Sequence, residues 1–341
     1  MTERLKNLDG LRGLAISLVV LFHAFSRWPD YIDIVSIYGE FWVFKYGWLG
    51  VQLFFLISGY VIFMSLDRQN KFQGFIWARL LRLWPGMLIA SALIFLSAGI
   101  FSSRPAGDPD LLDLVPGLIF TQPDWISKII PGVNSLEGAF WSLYVEFKFY
   151  IFFGLLYFFL GRKLSLFGLI GISFAFFVVK VLIHFSLIGE FLLAPFTLLG
   201  ADNYIWFSLG AFSYYVRESA KIKLNVFLYV CIACIAAVTR FGLKPELIAG
   251  LLVSTIFWFS VNGAVLNSIV ASKPLLFMGF ISYPLYLIHE NAMVSMIVDS
   301  QDAYSIGFLS PFPPIILLCI VAWFIAKYAE PRVRLLISKL V

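Results

Sequence analysis

Apolar residues in this chain come in long blocks, separated by short links rich in charge, Pro and Gly. About 20 such residues at 1.5 Å each cross the roughly 30 Å hydrocarbon core of a bilayer. Scanning at that length gives ten candidate helices, near 11–28, 47–66, 84–101, 140–160, 165–187, 193–216, 222–240, 246–268, 274–298 and 308–328. The first opens at a cap-like Asp9-Gly10 turn. The pattern predicts an all-α integral membrane protein, a bundle of about ten transmembrane helices.

An even number of spans places both termini on one side, and the charges choose the side. With the termini inside, the inner segments hold 17 Lys and Arg and the outer loops hold six, Arg27, Lys45, Arg104, Lys128, Arg240 and Lys244. Lys and Arg concentrate on the cytoplasmic side of membrane proteins, so the expectation is N-in and C-in. The longest loop, 102–139, is then external. The run 14–25 has no small-residue cleavage site and is followed by Arg27, Trp28 and Pro29, so the first span is expected to insert uncleaved.

Composition agrees. The chain is 61% apolar and 13% charged, with mean hydropathy +0.90, where soluble domains run at about 45–50% and 25%. The net charge of +5 divides by membrane side and forms no patch, so nucleic acid is not an expected partner. Cys231 and Cys234 sit in an apolar helix without His or charged neighbours and read as small packing residues, not a disulfide or zinc motif. No internal repeat or low-complexity stretch interrupts the chain, so residues 1–341 are expected to form one membrane domain with no appended soluble domain.

Polar residues at membrane depth are costly and mark functional sites. Arg12 and His23 are eleven steps apart. At 100° per residue that is about 20° past three turns, so both lie on one helix face, roughly 16 Å apart along the axis. Arg79 and Arg82 are neighbours at i, i+3 before the third span. Charge position alone would make them surface anchors. Their pairing, with Arg12 on the same side, points instead to a phosphate cradle, since guanidinium forks suit phosphate oxygens. Ser58-Gly59 is a small pair that permits close approach of a backbone or substrate. Glu146 lies just inside the fourth span, after Trp141 and Ser142. Ser282, Tyr286 and His289 share a face of the ninth, and Glu330 closes the last. His184 reads as interfacial, and Asp202 sits in the sixth span without a motif.

In combination, Arg–x10–His from Arg12, Arg-x-x-Arg from Arg79, Trp-Ser-Leu-x-x-Glu from Trp141 and Ser-Tyr-x-x-Tyr-Leu-x-His from Ser282 resemble the acyltransferase-3 family. These membrane enzymes O-acylate bacterial surface polysaccharides and related acceptors. The resemblance runs from Leu8 to about Arg334. It implies a multi-pass protein of the bacterial inner membrane that takes an acyl group, acetyl in the first instance, from cytoplasmic acyl-CoA. It passes that group to a hydroxyl of a cell-surface carbohydrate or glycolipid. Arg12, Arg79 and Arg82 would bind the donor's phosphates. His23 would be the general base, with Glu146 and His289 orienting it or the acceptor. No metal is expected, because the three His are scattered and no carboxylates cluster. The rival reading is a transporter or flippase for a lipid-linked glycan, using the same buried charges to pass a polar cargo.

Overall fold

The computed structural model describes residues 3–217, 221–263, 266–303 and 307–339. Among them every regular element is helical. The main helices are α1 (Glu3–Phe25), α2 (Gly50–Leu66), α3 (Phe72–Ser97), α4 (Trp141–His184), α5 (Tyr204–Tyr215), α6 (Ile222–Phe241), α7 (Glu246–Asn262), α8 (Lys273–Ile288), α9 (Glu290–Ala303), α10 (Phe312–Phe324) and α11 (Glu330–Ser338). Among the described residues six helical segments are long and apolar enough to cross a membrane: Lys6–Phe25, Gly47–Leu66, Phe72–Ile100, Gly138–His184, Lys223–Phe241 and Gly307–Ser338. Glu190–Leu199, Glu246–Asn262 and Lys273–Ile288 are apolar but shorter.

Breaks in helices account for most of the difference from the expected spans. The fourth and fifth run together as α4, whose path turns at Gly161, φ 79° and ψ 174°, a conformation cheap only for glycine. The sixth divides at Gly200, φ 73°. The ninth is two helices, α8 and α9, interrupted at His289. The tenth carries a π-turn, Ile325–Ala329, before α11. Ala264 and Val265 of the eighth, with the chain-terminal Met1, Thr2, Leu340 and Val341, lie outside the described residues.

The chain divides into two compact units. The first holds the chain up to Leu11, Val51–Ala78 and Val145–Ser272. Within it α2 meets α5 backbone to backbone: a Cβ on Gly59 would lie 2.0 Å from the Phe207 carbonyl oxygen, and one on Gly210 would lie 1.9 Å from that of Leu56. The small pair Ser58-Gly59 therefore admits a backbone. Phe207 stacks on Phe149 at 4.0 Å between centroids and on Phe55 at 4.6 Å. Cys231 and Cys234 are free thiols, as is Cys319 of the other unit.

The second unit holds Arg12–Gly50, Arg79–Tyr144 and the chain from Lys273 onward. Here α1 is wrapped closely. Cβ atoms on Gly13, Gly47 and Gly50 would lie 1.9, 2.4 and 2.3 Å from the carbonyl oxygens of Leu275, Leu18 and Ala15. Pro85 stands inside α3, where its missing amide deprives the carbonyl four residues back of a helical donor. That carbonyl, Leu81, accepts a hydrogen bond from Arg334 Nε at 3.1 Å instead. The long loop 102–139 is ordered around buried Asp113, which accepts the amides of Asp110 at 2.9 Å and Asn134 at 2.6 Å. The second unit thus brings together α1, the loop, the start of α4 and the α8–α9 break.

Candidate active site

His23 sits near the end of α1, which is continuous helix from Arg12 to His23, so the register that places both on one face is real. Its Nδ1 lies 2.9 Å from the carbonyl oxygen of Val19, one turn back. Its Nε2 lies 3.4 Å from Glu290 Oε1, with both side chains largely buried. The His289 ring stands edge-on to it, centroids 4.8 Å apart, with His289 Nε2 3.3 Å from His23 Nδ1. His289 is fully buried. Its Nδ1 takes the Tyr286 carbonyl at 2.9 Å, the acceptor that a continuing helix would offer to the amide of Glu290. That competition explains why the helix breaks at this residue.

Two sequence motifs meet beside the histidines. The Ser142 and Tyr286 hydroxyls are 2.7 Å apart, and Tyr286 donates to the Ala139 carbonyl at 2.9 Å. This joins the start of α4 to the end of α8 and sets Gly138 against Glu290. A Cβ on Gly138 would lie 2.7 Å from Glu290 Oε2 and 3.0 Å from Oε1.

Asn291 ties the loop to the same break. Its side chain accepts from the Ala106 amide at 3.0 Å and donates to the Leu136 carbonyl at 3.3 Å, while its own amide donates to Glu137 Oε2 at 3.2 Å. Buried Arg104 donates to the same Leu136 carbonyl at 3.3 Å. Glu137, in the loop and fully buried, has its carboxyl pushed up to about 8. Burial is the main cause, followed by the charge of Glu290, against smaller opposing effects of the Asn291 amide and Arg104. A folded-state value raised from 4.5 to about 8 means that this carboxyl's contribution to stability is full below 4.5 and is lost as pH rises through 8. The slope is up to about 1.4 kcal/mol per pH unit. Glu137→Gln is therefore expected to flatten the pH dependence of thermal melting in detergent over that window. A slope as steep as in the parent would refute the assignment.

Arg12, Arg79 and Arg82 all belong to the second unit. Arg12 and Arg79 are half-buried and Arg82 is exposed. Arg82 and Arg334 both interact with the carboxylate of Glu330. Glu146 belongs to the first unit, where it accepts hydrogen bonds from Ser58 Oγ at 2.5 Å and the Tyr150 hydroxyl at 2.6 Å. Lys148, its nearest cation in sequence, donates to the Leu198 carbonyl at 3.0 Å. The carboxylate 3.4 Å from His23 Nε2 is that of Glu290.

A family model described as an acyltransferase domain matches residues 5–328. The chain belongs to the acyltransferase-3 family. Over 157 residues it is 35% identical to BcsY of Komagataeibacter xylinus, whose name provisionally describes a membrane-bound transacylase; the match covers 43% of this chain and 36% of that protein. Over 175 residues it is 28% identical to the O-acetyltransferase OatA of Staphylococcus aureus, covering 47% of this chain and 26% of OatA. The chain thus spans only about a quarter to a third of the length of these curated relatives. No solved structure matches.

Of the residues that carried the family resemblance, the structure brings together His23, Ser142, Tyr286 and His289. Glu290, Glu137, Arg104, Asn291 and Gly138 were not singled out as functional from sequence. Only Glu290 carried a usable signal, an acidic residue within an apolar span and adjacent to a motif histidine. Among the described residues no group of three His, Cys, Asp or Glu is placed to hold a metal ion.

Proposed function

We propose that this acyltransferase-3 protein is a membrane O-acyltransferase. It moves an acyl group, acetyl in the first instance, from cytoplasmic acyl-CoA to a hydroxyl of a cell-surface carbohydrate or glycolipid. The observation that carries the reading is a largely buried imidazole at the end of an apolar helix, paired with a carboxylate, in a chain of an acyltransferase family. The name of OatA supports an O-acetyl transfer.

Arg12, Arg79 and Arg82 hold the phosphates of coenzyme A, whose pantetheine arm reaches His23. His23 takes the proton of the acceptor hydroxyl as its oxygen attacks the thioester carbonyl. The tetrahedral adduct collapses with cleavage of the C–S bond. The thiolate leaves and receives the proton from His23, giving the ester and free coenzyme A. His289 orients the base. In the proposed topology one domain of ten spans lies in the bacterial inner membrane with both termini cytoplasmic. The 17-to-6 division of Lys and Arg supports that orientation, and it puts the three arginines on the donor's side.

Membranes carrying the protein, given acetyl-CoA labelled in the acetyl group, are expected to deposit label in surface carbohydrate. A flippase would move glycan across the membrane without transferring label, and that result would overturn the reading.

A further inference from the structure

The hydrogen-bond partners around His23 determine where its proton sits. Carbonyl oxygens only accept, so the Tyr286 carbonyl at 2.9 Å assigns the proton of neutral His289 to Nδ1 and leaves Nε2 as an acceptor. The Val19 carbonyl at 2.9 Å assigns the proton of His23 to Nδ1 by the same argument. That N–H also faces the acceptor Nε2 of His289 at 3.3 Å. His23 therefore presents its unprotonated nitrogen, Nε2, to the carboxylate of Glu290 at 3.4 Å. Two lone pairs at that separation repel, and one proton placed between them reverses the sign. The acceptor hydroxyl supplies such a proton in the proposed reaction.

The carboxylate has little freedom to withdraw. It lies against the Cα of Gly138, where any Cβ would approach its oxygens to 2.7 and 3.0 Å. Gly138 is held there by the Ser142–Tyr286–Ala139 hydroxyl bridge. The amide of Asn291, the second residue of α9, donates to Glu137. Among the described residues, His289 at the helix break and Glu137 in the loop also face the pair, with Arg104 beyond Glu137.

We infer that Glu290 is the positioning partner of His23, sharing the transferred proton with its Nε2, and that Gly138 is the wall that keeps the carboxylate in line. This rests on the acyl-transfer reading above. As the acceptor O–H bond breaks, the proton bonds to His23 Nε2 and the resulting imidazolium is stabilised by the carboxylate. As the C–S bond breaks, the same proton passes to the thiolate sulfur, and the pair returns to its starting state. No further reactant is needed.

The test measures acetyl transfer against pH for full-length protein in membranes, with Glu290→Gln, Glu290→Asp and Gly138→Ala beside the parent and His23→Ala. Acetyl-CoA binding is measured in parallel. A nearby opposite charge commonly moves a titration by about 1–3 pH units. Glu290→Gln is expected to move the acid limb of kcat/KM to lower pH by about that amount and to lower kcat about 10–100-fold. Donor binding should stay unchanged. Glu290→Asp keeps the charge and should retain the acid limb of the parent with a partial loss of kcat. Gly138→Ala should shift the limb in the same direction as Glu290→Gln. If His23→Ala is inactive while Glu290→Gln keeps the parent's limb and kcat, the inference fails and the proposed function stands. If the parent itself transfers no label, the function fails first. Loss of activity in Glu290→Gln with an unmoved limb would make Glu290 merely structural and overturn the inference.

Discussion

His23→Ala is expected to lower acyl transfer by about 10²–10⁴-fold, the usual contribution of a general base, while donor binding and membrane insertion persist. His23 lies at the end of α1 away from Arg12, and replacing its largely buried ring leaves the helix's close packing at Gly13 and Gly50 untouched. The loss should therefore appear in kcat. The measurement is single-turnover transfer of labelled acetyl at saturating donor, with protein quantified in the same membranes. Turnover within about threefold of the parent would remove His23 from the chemistry.

The second large effect concerns donor affinity. Arg79→Ala and Arg82→Ala are each expected to raise the apparent KM for acetyl-CoA about 10–100-fold, with kcat nearly unchanged. A hydrogen bond to a charged group is worth about 1.5–3 kcal/mol, and these residues would act on a part of the donor that does not react. Lys at either position should rescue only in part, because a point charge cannot replace a bidentate fork. The decisive comparison uses a thioester of dephospho-CoA. It should be a poorer donor for the parent yet little worse than acetyl-CoA for the variants. An equal penalty in parent and variants would show that the arginines do not hold that phosphate. Inverted topology with unchanged kinetics would make them membrane anchors instead.

Glu330 bears on the same test. Its carboxylate lies near Arg82 and Arg334 and crowds Gly86 together with Tyr283, 2.6 and 2.5 Å from where a Cβ would stand. It sits directly after the π-turn.

What the sequence determined by itself is what depends on local geometry. The helical class follows from block length and composition, because a lipid-embedded backbone must satisfy its own hydrogen bonds. The shared face of Arg12 and His23 follows from the 3.6-residue turn, and α1 is continuous between them. The small pair Ser58-Gly59 marked a close approach, which Phe207 fills. The break between the fourth and fifth expected spans was legible, and Gly161 turns the chain within that gap. The break at His289 was not, because there a side chain takes a helical acceptor, which periodicity cannot register.

The partner of His23 belonged wholly to the tertiary structure. Glu146 and Glu290 are both lone carboxylates in apolar spans, and sequence favoured Glu146 because it stood in a motif. Packing gave Glu146 two hydroxyls and gave His23 to Glu290, which lies beside a histidine 266 positions away in the chain. No spacing rule reaches that far. The choice rests on the helix break at His289, on the Ser142–Tyr286 bridge, and on the missing side chain of Gly138.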